Sequence, residues 1–248
     1  MLQCPREIQN GGIIINMRAP YRRLFMSVVL CLALLSESTA LAQVGIVYTV
    51  EGQVSLKSGR QERVQHFGLD LDEGDAIRTS VKSWALLTMM DGTKITVRPD
   101  TEVRIYIYRY TESGESWQNR ALLVLTRGAL RVTSGRIAMG RSSGFAVRTP
   151  DATMDMRGAD HDITYIAPKF TPTRDATAGT YGRTFTGKAV LRNPRGEVTI
   201  HDGQTAYAEP RMRIPPRVLS TNPHFFQWHS YVDRRVAAVA ERQETVAP

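Results

Sequence analysis

The 248-residue chain holds only two cysteines, Cys4 and Cys31. Both lie in its first 42 residues, so the sequence from Gln43 onward can build no internal disulfide and no thiolate metal site. Long hydrophobic runs are missing as well. The apolar run Leu24–Leu35 is about 12 residues, short of the roughly 20 that span a bilayer. No Gly-rich loop follows a strand and opens a helix, which removes phosphate-loop nucleotide chemistry. No pair of acidic residues is marked out for acid–base work, so no catalytic residue is assigned. Acidic side chains are the minority, 24 against 32 Lys and Arg, for a formal net charge of +8. The basic residues are spread along the chain and alternate with apolar ones, whereas nucleic-acid binders gather them with interleaved aromatics. No nucleic-acid partner is expected.

The short apolar run has another reading. Arg18, Arg22 and Arg23 precede it, and Ala40-Leu41-Ala42 follows it as a small-residue cleavage site. Residues 1–42 therefore read as a signal peptide started at Met17, with the mature chain beginning at Gln43. Cys31 sits inside the run and not behind a lipobox, so no lipid anchor is expected. A periplasmic or secreted protein with no permanent membrane span after cleavage follows. Residues 1–42 carry four basic and two acidic side chains, which leaves +6 on the remainder.

From Gln43 the pattern is that of short strands. Ile46, Tyr48 and Val50 alternate before a turn at Glu51-Gly52, and Val54 and Leu56 resume the alternation. Trp84–Met90 and Ile95–Val97 flank Asp91-Gly92, the residues of a two-residue hairpin turn of type I′. Val103, Ile105 and Ile107 alternate with Arg104, Tyr106 and Tyr108. Thr111–Asn119, Gly135–Gly144 and Ala167–Gly179 read as loops. Phe145–Ile163 organises the whole: a strand, a turn at Thr149-Pro150-Asp151 enforced by the proline, a second strand, and a tight turn at Gly158. Further strands run to about Tyr207, and Asn193-Pro194-Arg195-Gly196 and Asp202-Gly203 mark turns. Arg211–Arg217 is a basic, Pro-rich linker. Phe225, Trp228, Val232, Val236 and Val239 then follow helical spacing, with Asn222 placed as N-cap and Pro223 as first helical residue. The reading is an all-β chain of many short strands in a rolled β-sandwich or β-helix-like domain, with one C-terminal amphipathic helix. Its divisions are a signal peptide at 1–42, a β domain at 43–210, and a linker and helix at 211–248.

A resemblance runs from Val44 to about Tyr207 and is most specific in two stretches. Val147–Ile163, VRTPDATMDMRGADHDI, resembles the closing pattern "vRTPtatigiRGTdfdv" of FecR-type domains, with Arg148, Thr149, Pro150, Arg157, Gly158 and Asp162 in register. Ala159 replaces the usual Thr, and His161 stands where Phe is common. Met90–Ile105 is similar to the family's "LLDGSxitvrPnTevri", with Asp91 and Gly92 at its turn. The resemblance implies a non-catalytic recognition domain without cofactor. Family members with a cytoplasmic anti-sigma region and a membrane helix relay signals from outer-membrane receptors. Here an export signal directly precedes the domain. The implied partner is a protein of the envelope, a receptor or membrane regulator, with an envelope glycan as the alternative.

Four local features bear on chemistry or partner contact. Tyr106, Tyr108 and Tyr110 lie two apart and would share one strand face as a stacking ladder for a partner, or pack across strands. Asp160-His161-Asp162, with His201 and Asp202, has metal-ligating residue types. Strand alternation lets only Asp160 and Asp162 converge, so turn chemistry is favoured and no metal is assigned. Gly140-Arg141-Ser142-Ser143-Gly144 spells a nucleophile elbow but lacks the following helix that this motif requires. The C-terminal helix is expected to pack back on the sheet and cap an open edge.

Overall fold

The computed structural model describes residues 43–64, 68–112, 118–139, 144–169 and 177–246. Residues 1–42, read above as a signal peptide, Ser142 and its motif up to Ser143, and the centres of the loops at 113–117 and 170–176 lie outside the described residues. The strands are β1 (Gln43–Glu51), β2 (Val54–Ser58), β3 (Gln61–Val64), β4 (Asp70–Asp72), β5 (Ala76–Thr79), β6 (Trp84–Met89) and β7 (Lys94–Val97). They continue as β8 (Glu102–Arg109), β9 (Arg120–Thr133), β10 (Phe145–Arg148), β11 (Thr153–Ile166) and β12 (Gly179–Asn193). Then come β13 (Gly196–Ile200), β14 (Thr205–Ala208) and β15 (Arg217–Val218). Helix α1 is a single turn, Arg136–Met139, and α2 spans Phe225–Val246.

All fifteen strands belong to one sheet, as the short alternating runs predict, and it does not close into a barrel. Its main path runs β15-β14-β12-β11-β10-β9-β7-β6-β1-β4, and β8, β5, β2 and β3 branch from β9. Pairings are antiparallel except β9 with β10. The inner face of this rolled sheet forms the main core, including Val47, Ile77, Leu125, Phe145, Met154, Met156 and Leu191.

The Asp91-Gly92 hairpin joins β6 to β7 with register Ala85↔Val97 to Thr88↔Lys94. Its turn differs from type I′, because only Gly92 has positive φ, at 85°. Gly92 N–H donates to Met89 C=O and Met89 N–H to Thr93 C=O, which makes a three-residue loop with glycine at the left-handed position. The change frees Asp91 for another task. Its buried carboxylate accepts bonds from Thr93 N–H and hydroxyl, from Tyr108 hydroxyl at 2.6 Å, and from Ile137 N–H. The segment Gly135–Gly144 is consequently not all loop: α1 forms at its start with Ile137 and Ala138 buried.

Around Phe145–Ile163 the proline turn forms as read. β10 pairs with β11 from Phe145↔Met156 to Arg148↔Thr153. Thr149 hydroxyl donates to Ala152 C=O and accepts its N–H, closing the turn. Gly158 does not turn the chain. β11 continues through it, with register shifts between Arg157 and His161. Gly158 and Gly187 both have positive φ, and a Cβ on Gly158 would lie 2.8 Å from the Gly187 Cα. This glycine contact bends two long strands together and reverses which residues of β11 face inward.

Helix α2 covers part of the sheet's outer face, not an edge. Phe225 and Phe226 pack with Ile166, Tyr181 and Tyr207, while Val232 and Val236 pack with Trp84 and Leu86. Each such burial contributes roughly 1.5–3 kcal/mol. Trp228, placed on the packing stripe by spacing, is instead 62% exposed and stacks on Tyr231. Asn222 does not cap the helix; its carbonyl oxygen accepts the Thr205 hydroxyl at 2.5 Å.

Removing the Asp91 carboxylate strands four donors in buried or nearly buried surroundings. Asp91→Ala is expected to lower stability by about 2–4 kcal/mol in urea unfolding, and Tyr108→Phe by about 1 kcal/mol. Equal, small losses from both would contradict this role for Asp91.

Candidate functional site

The three tyrosines do not form a ladder. β8 carries a bulge: Ile105 pairs with Leu123 and Ile107 with Leu122, which leaves Tyr106 as the extra residue. Tyr106 points out and is 52% exposed, whereas Tyr108 is buried and stands edge-on to Phe145. Burial and the Asp91 charge push the Tyr108 phenol far above its ordinary pKa, so it remains a donor to that carboxylate. Tyr110 is half-buried and accepts a bond from Arg136. A single stacking face is therefore replaced by one exposed ring and one structural anchor.

Asp160 and Asp162 do converge on one face, as alternation predicts, and arginines join them there. Arg98 is 1% exposed at the end of β7. Its Nη2 donates to Asp162 at 2.7 Å and to Asp233 of α2 at 2.9 Å, and its Nε donates to Asp233 at 3.1 Å. Arg131 donates to the same Asp233 at 2.7 Å and grips Asp160 with two bonds, at 3.0 and 2.6 Å. His229 Nδ1 stands 3.7 Å from Asp162, beyond hydrogen-bond reach but within its field. This cluster lies between the two apolar patches under α2 and fastens the helix to β7, β9 and β11. Burial opposes ionisation of Asp162, but Arg98, with His229 beside it, outweighs burial and holds the carboxyl at about 2. Among the described residues no group of His, Cys, Asp and Glu is arranged to hold a metal.

His161 lies on the opposite face of β11, fully buried in the core. It sits directly across from Thr184, whose hydroxyl is 3.3 Å from its Nδ1. A Phe would fill the same apolar position, and Thr184 supplies the polar contact that the imidazole needs. Burial pulls the His161 pKa below its ordinary value. Burial and the Arg98 charge do the same to His229.

The remaining part of the outer face, over β9 to β13, is uncovered. There the sheet forms a polar hollow of about 470 Å³ lined by Arg120, Arg148, Arg157, Arg192, Asp155 and Glu197, with smaller residues between. Arg192 pairs with Asp155 at 2.8 Å. Burial raises the Asp155 carboxyl above its usual range, and the charges of Arg192 and Arg157 pull against that without cancelling it. Arg148 and Arg157 are exposed. They belong to the same motif as Thr149, Pro150 and Gly158, yet only the latter three shape the backbone. Composition could not find this hollow, because its arginines are far apart in sequence and only the sheet gathers them.

Two outcomes follow for the ionic cluster. Asp162→Ala leaves the buried Arg98 with Asp233 alone and should cost about 3–5 kcal/mol, while Asp160→Ala, at a partly exposed pair, should cost about 1 kcal/mol or less. Urea unfolding of both variants separates these values, and comparable losses would contradict the assignment. The histidines set the pH dependence. In the unfolded chain they bind protons near the ordinary imidazole pKa, about 6.5, but in the folded protein only at lower pH, so stability falls as pH drops below that value. The melting temperature should decline from pH 7.5 to 5.5, and His161→Gln with His229→Gln should flatten that decline. An unchanged slope in the double variant would count against burial of the two imidazoles.

The model of the family described as FecR protein matches residues 75–171. That span contains both stretches that carried the resemblance, Asp91–Ile105 and Val147–Asp162. No curated protein matches the chain. Similar solved structures include two crystal structures titled as a "putative anti-sigma factor" from Parabacteroides distasonis, at 16% and 18% identity, each with a TM-score of 0.41. Each alignment covers 59% of this chain and 59% of that one. Residues 75–171 are thus similar to the FecR family.

Proposed function

We propose that the protein is a non-catalytic recognition module, exported to the cell envelope, that binds a protein partner in signalling or assembly there. The observation that carries this reading is the FecR match over residues 75–171, which takes in β5 to β11 and the proline turn. The disposition of polar groups supports it. Arg98 bonds Asp162 and Asp233 to hold strands and helix together, and Tyr108 bonds Asp91 within the sheet. Export rests on the signal-like residues 18–42, and among the described residues no helix is long and apolar enough to cross a membrane. The sheet offers what a protein partner needs: edge strands such as β3 and β13 with one pairing side each, and an uncovered polar face.

In-cell crosslinking of the tagged chain, followed by mass spectrometry, tests the reading. Capture of a defined envelope receptor or membrane regulator above a control exported protein is the expected result. Recovery of cell-wall glycan with no specific protein would replace this reading with a glycan-binding one.

A further inference from the structure

We infer that the hollow over β9 to β13 binds an extended, acidic segment of the protein partner, with Arg120, Arg148, Arg157 and Arg192 as its cationic contacts. The inference rests on the reading of the chain as a protein-binding module and names the surface and its complement.

Charge placement within the sheet carries it. Arg157 of β11 stands directly opposite Lys188 of β12. Arg109 of β8 stands directly opposite Arg120 of β9. Like charges in directly opposed positions disfavour strand pairing, by a few tenths of a kcal/mol to about 1 kcal/mol each. All four side chains are exposed. Around the hollow, Arg120, Arg148, Arg157, Lys188 and Arg192 outnumber Asp155 and Glu197. Among the described residues only Arg192 has an ion pair, to Asp155, and Glu197 stands directly across from it on β13. Arg148 makes no hydrogen bond or ion pair among the described residues. The contrast with the other part of the outer face is informative: there Arg98 and Arg131 are both answered by aspartates and covered by α2. The uncovered arginines therefore repel one another in the free protein, and an anionic surface laid on them relieves that repulsion.

The form of the anion follows from the same residues. Guanidinium groups present planar forks that match individual carboxylates, so discrete Asp or Glu side chains suit them. Asp155 and Glu197 interrupt the positive field, which penalises a polymer charged at every unit and favours a chain whose acidic groups are spaced. β13 bounds the hollow and pairs with β12 alone, leaving backbone donors and acceptors for an extended polypeptide.

The test uses the purified protein and a labelled peptide alternating Glu and Gly, read by fluorescence anisotropy, with an alternating Gln and Gly peptide as control. Binding of the Glu peptide alone is expected, weakening as salt rises. Arg148→Glu with Arg157→Glu should weaken it by roughly tenfold or more, whereas Tyr106→Ala should not. Both arginines are exposed, so a melting temperature that does not fall confirms that the double variant folds. Equal binding of the Gln peptide, no loss in the double variant, or stronger competition by polygalacturonate than by unlabelled peptide at equal carboxylate concentration would overturn the inference. In cells, a double variant that still captures the wild-type partner would overturn this surface and leave the broader reading standing. Absence of any specific partner for the wild-type chain would remove that broader reading.

Discussion

Arg98 places a full positive charge where only 1% of the residue meets solvent, and much of the architecture answers that charge. A guanidinium so buried persists only if its donors find anionic acceptors, since desolvation costs several kcal/mol per ion. Asp162 supplies one from β11 and Asp233 another from α2. Arg131 then shares Asp233 and is itself held by Asp160. The cluster thus works as a cross-brace from β7, β9 and β11 to a helix, with apolar contacts at both ends. Charge pairing gives the helix its register on the sheet, and the flanking Phe and Val residues supply most of the attraction.

That brace divides the outer face of the sheet into two regimes. Where α2 lies, the arginines are paired with aspartates inside the fold. Past the glycine contact of Gly158 with Gly187, β11 has changed the side it shows, and Asp155 and Arg157 occupy the outer positions in place of Met154 and Met156. The face there is open, cationic and only partly neutralised. One long strand therefore serves both as structural anchor and as part of a recognition surface, and the bend between its halves is what makes the two roles compatible.

Much of the strand order of elements was legible in the chain, because alternation and turn residues are local signals. The hairpin at Asp91-Gly92 and the turn at Thr149-Pro150-Asp151 sit where their chemistry puts them. Bulges were not legible. One extra residue at Tyr106 sends Tyr108 inward, and nothing in RIYIYRY marks which residue will be unpaired. The ionic cluster was hidden for a different reason: Arg98 lies 64 residues from Asp162 and 135 from Asp233, so only tertiary structure brings the charges together. Helical spacing alone likewise favoured Trp228 over His229 and Asp233 for the buried stripe, because it assumes an apolar surface beneath the helix. The arginine hollow shares this limit, its arginines coming from four strands whose charges look evenly scattered along the chain.

Hydrogen exchange of the free protein, resolved to α2, β7 and β11, tests most directly whether the helix and its ionic brace are integral to the fold. The account predicts that the α2 amides between Phe226 and Val236 open only with the strands, at the free energy of global unfolding. Exchange of α2 far ahead of β7 and β11 would contradict it. The helix would then be a loosely held element, and the face beneath it would be as open to a partner as the arginine hollow.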